Sequence, residues 1–158
     1  MTDARFADAD PSPLALRVAD GDDLTVVSTL VQDAVLPVTE IKYDGRGRFL
    51  ALLLNRFRWE DADLARREKR PFERVRSLMV ISDILRVRSD GIDRTDKDLV
   101  LELLNIVWNP AEEGSGELLL QFAGDGTLAL DVEALNIDLR DVTQPYIAPS
   151  GQEPGHPA

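Results

Sequence analysis

Two arginines near the middle of the chain, Arg56 and Arg58, have the type and spacing best suited to a binding chemistry. They occur in "LNRFRWE", residues 54–60, where Asn55 precedes the first arginine and Trp59 follows the second. In an extended strand, side chains two positions apart share a face at a separation of roughly 7 Å. Guanidinium groups placed in this way can hold a carboxylate or a phosphate. Asn55, Arg56, Arg58 and Trp59 are therefore the candidate residues for binding a ligand or a partner.

The strand that positions these arginines is predicted to run over residues 49–59, and alternation divides its side chains between two faces. The face predicted to lie in the core carries Phe49, Ala51, Leu53, Asn55, Phe57 and Trp59. The other face is predicted to begin buried and to become exposed from Arg56 onward; it carries Leu50, Leu52, Leu54, Arg56 and Arg58. Ion pairs between the arginines and glutamates inside the fold are the alternative to an exposed clamp.

Asn55 is the one polar residue on the predicted core face. A buried amide without a hydrogen-bond partner costs ~1–3 kcal/mol, so this side chain needs a structural explanation. We expect it to tie the strand to a neighbouring loop, and a polar group projecting into a pocket is the alternative.

No catalytic residue is predicted. The chain has no cysteine, and its single histidine, His156, stands too close to the C-terminus for a rigid Ser–His–Asp triad. The "GSG" at 114–116 lacks the strand-to-helix elbow of a hydrolase nucleophile. Carboxylates from distant strands could still form an acid/base pair. An enzymatic role therefore stays open, and a non-enzymatic role is favoured.

No metal and no cofactor is predicted either. The densest acidic cluster is Asp93, Asp96 and Asp98. A calcium-binding loop needs a glutamate at its twelfth position, and counting from Asp93 that position is Leu104. The cluster is therefore predicted to be a turn.

The charge distribution restricts the partners. The net charge is −11, which disfavours nucleic acid and anionic membranes because both repel an acidic protein. Residues 42–76, however, hold eleven of the eighteen basic residues and six of the twenty-nine acidic ones. We expect the partner to be a protein or a small anionic ligand. Exposed strand edges would also permit a homo-oligomer.

The cellular location is expected to be the cytoplasm. The N-terminus lacks the basic-then-apolar pattern of a signal peptide, and the absence of cysteine fits a reducing compartment. The most apolar windows, 49–54 and 99–108, are shorter than the roughly 20 residues that a membrane-spanning helix needs.

One helix is predicted over roughly 20–33. Asp20 suits the N-cap, and an apolar stripe follows at helical spacing. The stripe consists of Leu24, Val27, Leu30, Val31 and Ala34. A helix with one apolar face must pack on another element, here most simply a sheet.

The rest of the chain has the two-residue period of strands. The "DGRG" and "GDG" turns predict two hairpins, the first leading into "RFLALLLNRFRW" and the second joining "ELLLQFA" to "TLALDV". Residues 60–70 are predicted to be a solvated loop or a frayed helix. Residues 99–108 are predicted to be a strand on their β-branched content, although leucine and glutamate also suit a helix. Residues 133–142 fit either a strand or a short helix.

These elements predict a single α+β domain over residues 14–147. It would be a mainly antiparallel barrel or sandwich of about eight short strands, with the N-terminal helix packed on it. Residues 1–13 and 148–158 are rich in proline or acidic residues and are predicted to be flexible tails.

The segments "LVQDAVLP" and "NRFRWE", with "GIDR" and "LRDV" further on, resemble an uncharacterised alphaproteobacterial domain-of-unknown-function family (serial number 2948). The resemblance covers residues 14–147. It implies a small bacterial cytoplasmic protein, and it supplies no activity, cofactor or catalytic residue.

Three functions follow from these observations as hypotheses. The favoured one is a non-catalytic binding or protein-interaction module that uses Arg56 and Arg58. On that hypothesis, replacing both arginines by alanine would leave the fold intact and abolish partner capture. The alternative is a small-ligand carrier or an enzyme with a pocket in the barrel mouth, using Asn55 or Trp59. The third is nucleic-acid binding through the basic region 42–76.

Overall fold

The computed structural model describes residues 13–147 and Pro154. The described residues form two helices, α1 (Gly21–Leu30) and α2 (Trp59–Glu68), and eleven strands. The strands are β1 (Ala15–Val18), β2 (Ala34–Pro37), β3 (Ile41–Asp44), β4 (Phe49–Phe57), β5 (Glu73–Ile81), β6 (Ile84–Asp90), β7 (Val100–Pro110), β8 (Gly116–Phe122), β9 (Thr127–Val132), β10 (Ile137–Asp141) and β11 (Tyr146–Ile147). The α+β class is confirmed, with more strands and one more helix than predicted. The tails predicted at 1–13 and 148–158 lie outside the described residues, except for Pro13 and Pro154.

Helix α1 begins as its sequence predicts. The Asp20 side chain accepts a hydrogen bond from the Asp23 main-chain N–H at 2.8 Å, which satisfies one unpaired donor of the first turn. The buried residues of the helix are Leu24, Val27 and Leu30, and the helix packs against β1 and β7. It ends at Leu30 rather than near residue 33, because Asp33 has a positive φ of 62° and Ala34 already pairs with Leu103 in the sheet.

The sheet is antiparallel and follows the order β1-β10-β5-β4-β2-β7-β8-β9-β6. Strand β4 uses one edge for β5 along most of its length, and its other edge pairs with both β3 and β2. The path from β2 through β7, β8 and β9 curls round and brings β6 back towards β3. The main-chain N–H of Ile84 donates to the Arg48 carbonyl at 3.0 Å, which joins the start of β6 to the β3–β4 turn.

The predicted hairpins are confirmed. Strands β3 and β4 pair across the "DGRG" turn, and β8 pairs with β9 across "GDG". The strand predicted at 99–108 is β7, and the ambiguous segment 133–142 contains β10. Pairing decides both cases, since β7 lies between β2 and β8 and β10 lies between β1 and β5.

Most of the charged segment 60–70 lies in helix α2 (Trp59–Glu68), so the helical alternative for this segment is correct. Its buried residues include Ala62 and Ala65, and small side chains of this kind give a weak apolar signal in a charged sequence. The helix ends at Glu68, and the next residue, Lys69, has the left-handed conformation typical of a helix end. Neither of the two helices in the described part of the chain is long and apolar enough to cross a membrane.

Candidate functional site

Arg56 is buried, and the prediction that the chain becomes exposed there is wrong. The side chain has 0% relative exposure, and it shares the core face of β4 with Leu50, Leu52 and Leu54. The face predicted to lie in the core is the less buried one, because its residues Phe49, Ala51, Leu53 and Asn55 are only half-buried. The predicted assignment of the two faces of β4 is therefore reversed.

The Arg56 guanidinium lies in a cluster of hydrogen bonds. It binds both carboxylate oxygens of Glu60 at 2.8 Å, Asp141 at 3.0 Å and the Ser77 hydroxyl at 2.9 Å. Burial alone would lower the pKa of Arg56, but hydrogen bonds and charges from Glu60 and Asp141 outweigh it, so the pKa is raised. Asp141 also accepts from the Leu14 main-chain N–H at 2.9 Å. The cluster therefore fastens β4, β5, β10, α2 and the residue before β1 to one another.

Arg58 is also buried, with 6% relative exposure, and it stands at the N-cap of α2. Its guanidinium contacts Glu73 at 2.5 Å and Asp61 at 3.8 Å. Asp61 is itself paired with Arg70 at 3.0 Å. The alternative in which the arginines pair with carboxylates inside the fold is therefore the correct one for both Arg56 and Arg58.

Asn55 acts as a structural tie, but to a neighbouring strand rather than to a loop. Its side-chain oxygen accepts from Nε of Arg74 at 2.7 Å, and its main-chain carbonyl accepts from the same guanidinium at 3.0 Å. Arg74 belongs to β5 and lies two residues before Arg76, which pairs with Asn55. The side chains of Arg74 and Asn55 therefore share one face of the sheet. Burial lowers the pKa of Arg74, which still stays charged as arginines do.

We expect Asn55→Ala to lower the free energy of unfolding by ~1–3 kcal/mol, because the half-buried Arg74 guanidinium loses an acceptor. Urea denaturation followed by tryptophan fluorescence measures the change. Asn109→Ala is the matched control, since Asn109 is exposed and its amide makes only a 3.5 Å contact with Glu117. Equal midpoints for the two variants would contradict the role of Asn55 as a tie.

Trp59 lies in α2 rather than in the strand, because β4 ends at Phe57. Its indole N–H donates to the Gln32 carbonyl at 3.0 Å, and its ring meets Phe57 edge-on with centroids 4.6 Å apart. Phe57 is buried as predicted, whereas Trp59 is half-buried. The four candidate residues thus come together at the β4–α2 junction, where their side chains hold the fold together.

Five of the eleven basic residues of the region 42–76 form ion pairs within the protein. Besides Arg56 and Arg58, three of its arginines are ion-paired with carboxylates; these are Arg48, Arg66 and Arg70. This arrangement leaves a reduced positive surface for a polyanion, since paired cations attract phosphates weakly.

A cleft of about 520 Å³ lies elsewhere, between β3 and β6. Its apolar lining comes from four strands, the short 3-10 turn before β3 and the β6–β7 loop; it consists of Val38, Ile41, Leu50, Val87, Ile92 and Leu128. The hydroxyl groups of Thr39, Tyr43 and Ser89 also line it. No local pattern in the sequence predicts this cleft, because the residues that line it are up to about 90 positions apart in the chain.

Two cations, Arg94 and Lys97, border the cleft. Both side chains are exposed, and within the described part of the chain neither makes a hydrogen bond or an ion pair. The described lining contains no carboxylate. The cleft therefore combines an apolar wall with two available positive charges, in a protein whose net charge is −11.

A second cleft, of about 460 Å³, lies between α1 and β7, and its lining in the described part of the chain has no charged residue. Its hydroxyl groups are already used within the protein. Thr25 and Thr29 donate to main-chain carbonyls of α1, and Ser28 accepts from the Ile106 N–H at 3.1 Å. This cleft is therefore a weaker candidate than the one between β3 and β6.

The described residues contain no group of three or more acidic, histidine or cysteine side chains that could hold a metal ion. In the Asp93–Asp98 segment, the Asp93 carboxylate accepts from the Thr95 N–H at 2.9 Å. The segment is therefore a turn, as predicted.

Comparison with known proteins gives a family without an assigned activity. No curated protein and no solved structure matches the chain. A family model described as "Protein of unknown function (DUF2948)" matches residues 14–156. That match covers the whole described sheet and both helices, and the chain belongs to the DUF2948 family.

Proposed function

We propose that this protein is a non-catalytic binding module of the bacterial cytoplasm whose ligand has an apolar body and an anionic group. The ligand lies in the cleft between β3 and β6. The observation that supports the proposal is that the apolar wall of the cleft lies beside Arg94 and Lys97. These two cations have no partner among the described residues. Concave, mostly apolar sites with a few polar groups are the usual form of ligand sites.

The lining favours binding over catalysis. Its hydroxyl groups, on Thr39, Tyr43 and Ser89, have no histidine or carboxylate beside them within the described lining of the cleft. A hydroxyl nucleophile is weak without an adjacent base. The same groups suit a binding role, because they can orient the polar end of a ligand.

Titration with 1-anilinonaphthalene-8-sulfonate tests the proposal, since this probe has an aromatic body and a sulfonate group. We expect saturable fluorescence enhancement that dodecanoate reverses by competition and dodecanol reverses less well. The Arg94→Gln/Lys97→Gln variant should bind the probe about tenfold more weakly, because a charge-assisted hydrogen bond contributes ~1.5–3 kcal/mol and solvent exposure reduces that value.

The matched control is Lys42→Gln/Arg86→Gln, which removes two exposed cations of β3 and β6 that do not line the cleft. Its probe affinity should equal that of the unaltered protein. The proposal fails if the two double variants bind the probe equally well, or if the unaltered protein shows no saturable binding.

A further inference from the structure

We propose that the natural ligand of this cleft is an extended segment of a partner protein, in which apolar and acidic residues alternate. The segment pairs as an additional strand between β3 and β6. This inference rests on the proposed function and names the class of its ligand.

The cleft lies between two strand edges that pair with no other strand among the described residues. In the described part of the chain, β3 pairs only with β4 and β6 only with β9. Strands β2 and β3 share one edge of β4, and the path β2-β7-β8-β9-β6 brings β6 back to the side of β3. Arg48 and Ile84 hold the gap between β3 and β6 together at one end through their main-chain hydrogen bond of 3.0 Å. Unpaired edges offer main-chain donors and acceptors to an incoming strand.

The inward-facing side chains along the gap are left uncovered. Tyr43 pairs with Leu50, whose side chain points into the core, yet Tyr43 is 48% exposed. On β6, a bulge at Leu85 sets the register so that Val87 and Ser89 pair with the buried Leu130 and Leu128. Val87 is nevertheless only half-buried and Ser89 is exposed. Apolar side chains on one face of an added strand would cover these positions, because alternate residues of a strand share a face.

Basic residues occupy three outward-facing positions of the two edges, and the aspartates Asp44 and Asp90 face outward at the last residue of each strand. Lys42 lies between the inward-facing Ile41 and Tyr43 on β3, and Arg86 and Arg88 alternate with Val87 on β6. Arg88 is paired with Glu117 and Asp131, whereas Lys42 and Arg86 make no hydrogen bond or ion pair with other described residues. An added strand with acidic residues on its outer face would place them between these two cations.

The unpaired edges favour a peptide over a lipid. An acyl chain could cover the apolar wall and reach Arg94 or Lys97, but it has no groups for the main-chain donors and acceptors of β3 and β6. A peptide meets both requirements. Its main chain pairs with the strand edges, and its side chains cover the apolar wall of the cleft.

The synthetic peptide Ac-EVEVEVE-NH2 and the full chain provide the test. Calorimetry should detect binding, and hydrogen exchange should slow at Ile41–Asp44 and Ile84–Asp90 when the peptide is present. The peptide Ac-KVKVKVK-NH2 and a form of the first peptide with alternate amides N-methylated should each bind at least tenfold more weakly. The Lys42→Gln/Arg86→Gln variant should lose peptide affinity while keeping its affinity for anilinonaphthalene sulfonate.

The possible results separate the two proposals. Binding of the sulfonate probe that depends on Arg94 and Lys97, together with no binding of the peptide, overturns strand addition and leaves the proposed function standing. Equal binding of the N-methylated peptide, or unchanged exchange at β3 and β6 in the complex, also overturns strand addition. Failure of both the probe and the peptide to bind overturns both proposals.

Discussion

Arg56→Ala is expected to lower the free energy of unfolding by about 3–5 kcal/mol, because it removes one partner from a buried ion cluster. Glu60 and Asp141 would remain, with side-chain exposures of 11% and 5%, and neither would have the guanidinium that now neutralises it. The free energy of unfolding of a typical domain is about 5–15 kcal/mol, so a loss of this size removes a large fraction of it.

Urea denaturation followed by the fluorescence of Trp59 and Trp108 measures this loss. Arg76→Ala is the matched control, since Arg76 is exposed on the neighbouring strand β5 and should change stability by no more than about 0.5 kcal/mol. Arg56→Lys should give an intermediate loss, because an ammonium keeps the charge but not the planar fork that binds Glu60 with two hydrogen bonds. Similar midpoints for Arg56→Ala and Arg76→Ala would show that the cluster contributes little.

This result would also decide against the sequence-based hypothesis of an exposed arginine clamp. That hypothesis expects an intact fold after both arginines are replaced. With Arg56 and Arg58 buried against Glu60, Glu73 and Asp141, the double replacement is expected to unfold the protein, and any loss of binding would follow from unfolding.

Gly91→Ala is expected to destabilise the protein through two separate effects. Gly91 has a φ of 70°, and an alanine in that left-handed conformation costs ~1–3 kcal/mol. An added Cβ would also stand 2.8 Å from the main-chain oxygen of Asp125, so the β6–β7 loop and the β8–β9 turn must move apart. Overpacking of this kind costs a further ~1–3 kcal/mol.

The control Gly114→Ala separates the two effects, since Gly114 has a φ of 82° and nothing within 4 Å of the added Cβ. The difference in unfolding free energy between the two variants measures the steric part. Gly91→Ala should also weaken binding of the sulfonate probe, because the displaced loop carries Ile92, Arg94 and Lys97, whereas Gly114→Ala should leave binding unchanged. Equal free energies of unfolding for the two variants would show that the β6–β7 loop and the β8–β9 turn can move apart without loss of stability.

The sequence-based errors on β4 have a physical cause. Leucines occur on both faces of this strand, at positions 50, 52 and 54 and at 53, so alternation could not show which face is buried. The aromatic residues at 57 and 59 favoured the wrong face, because they extended the strand pattern across the point where α2 begins. Glu60 lies close enough to Arg56 in sequence for their pairing to be foreseen. Asp141, which completes the cluster, stands 85 positions away.

Local signals in the sequence determined the elements whose causes are themselves local. The Asp20 cap and the apolar stripe determined α1, the glycine turns determined the two hairpins, and the absence of cysteine excluded thiolate chemistry. Pairing between distant strands decided the rest. It set the buried face of β4, it made Arg56 and Arg58 structural residues, and it left β3 and β6 facing each other across a cleft bordered by Arg94 and Lys97. The physical reason is that side-chain alternation defines two faces of a strand, and only the neighbouring strands and helices decide which of them is covered.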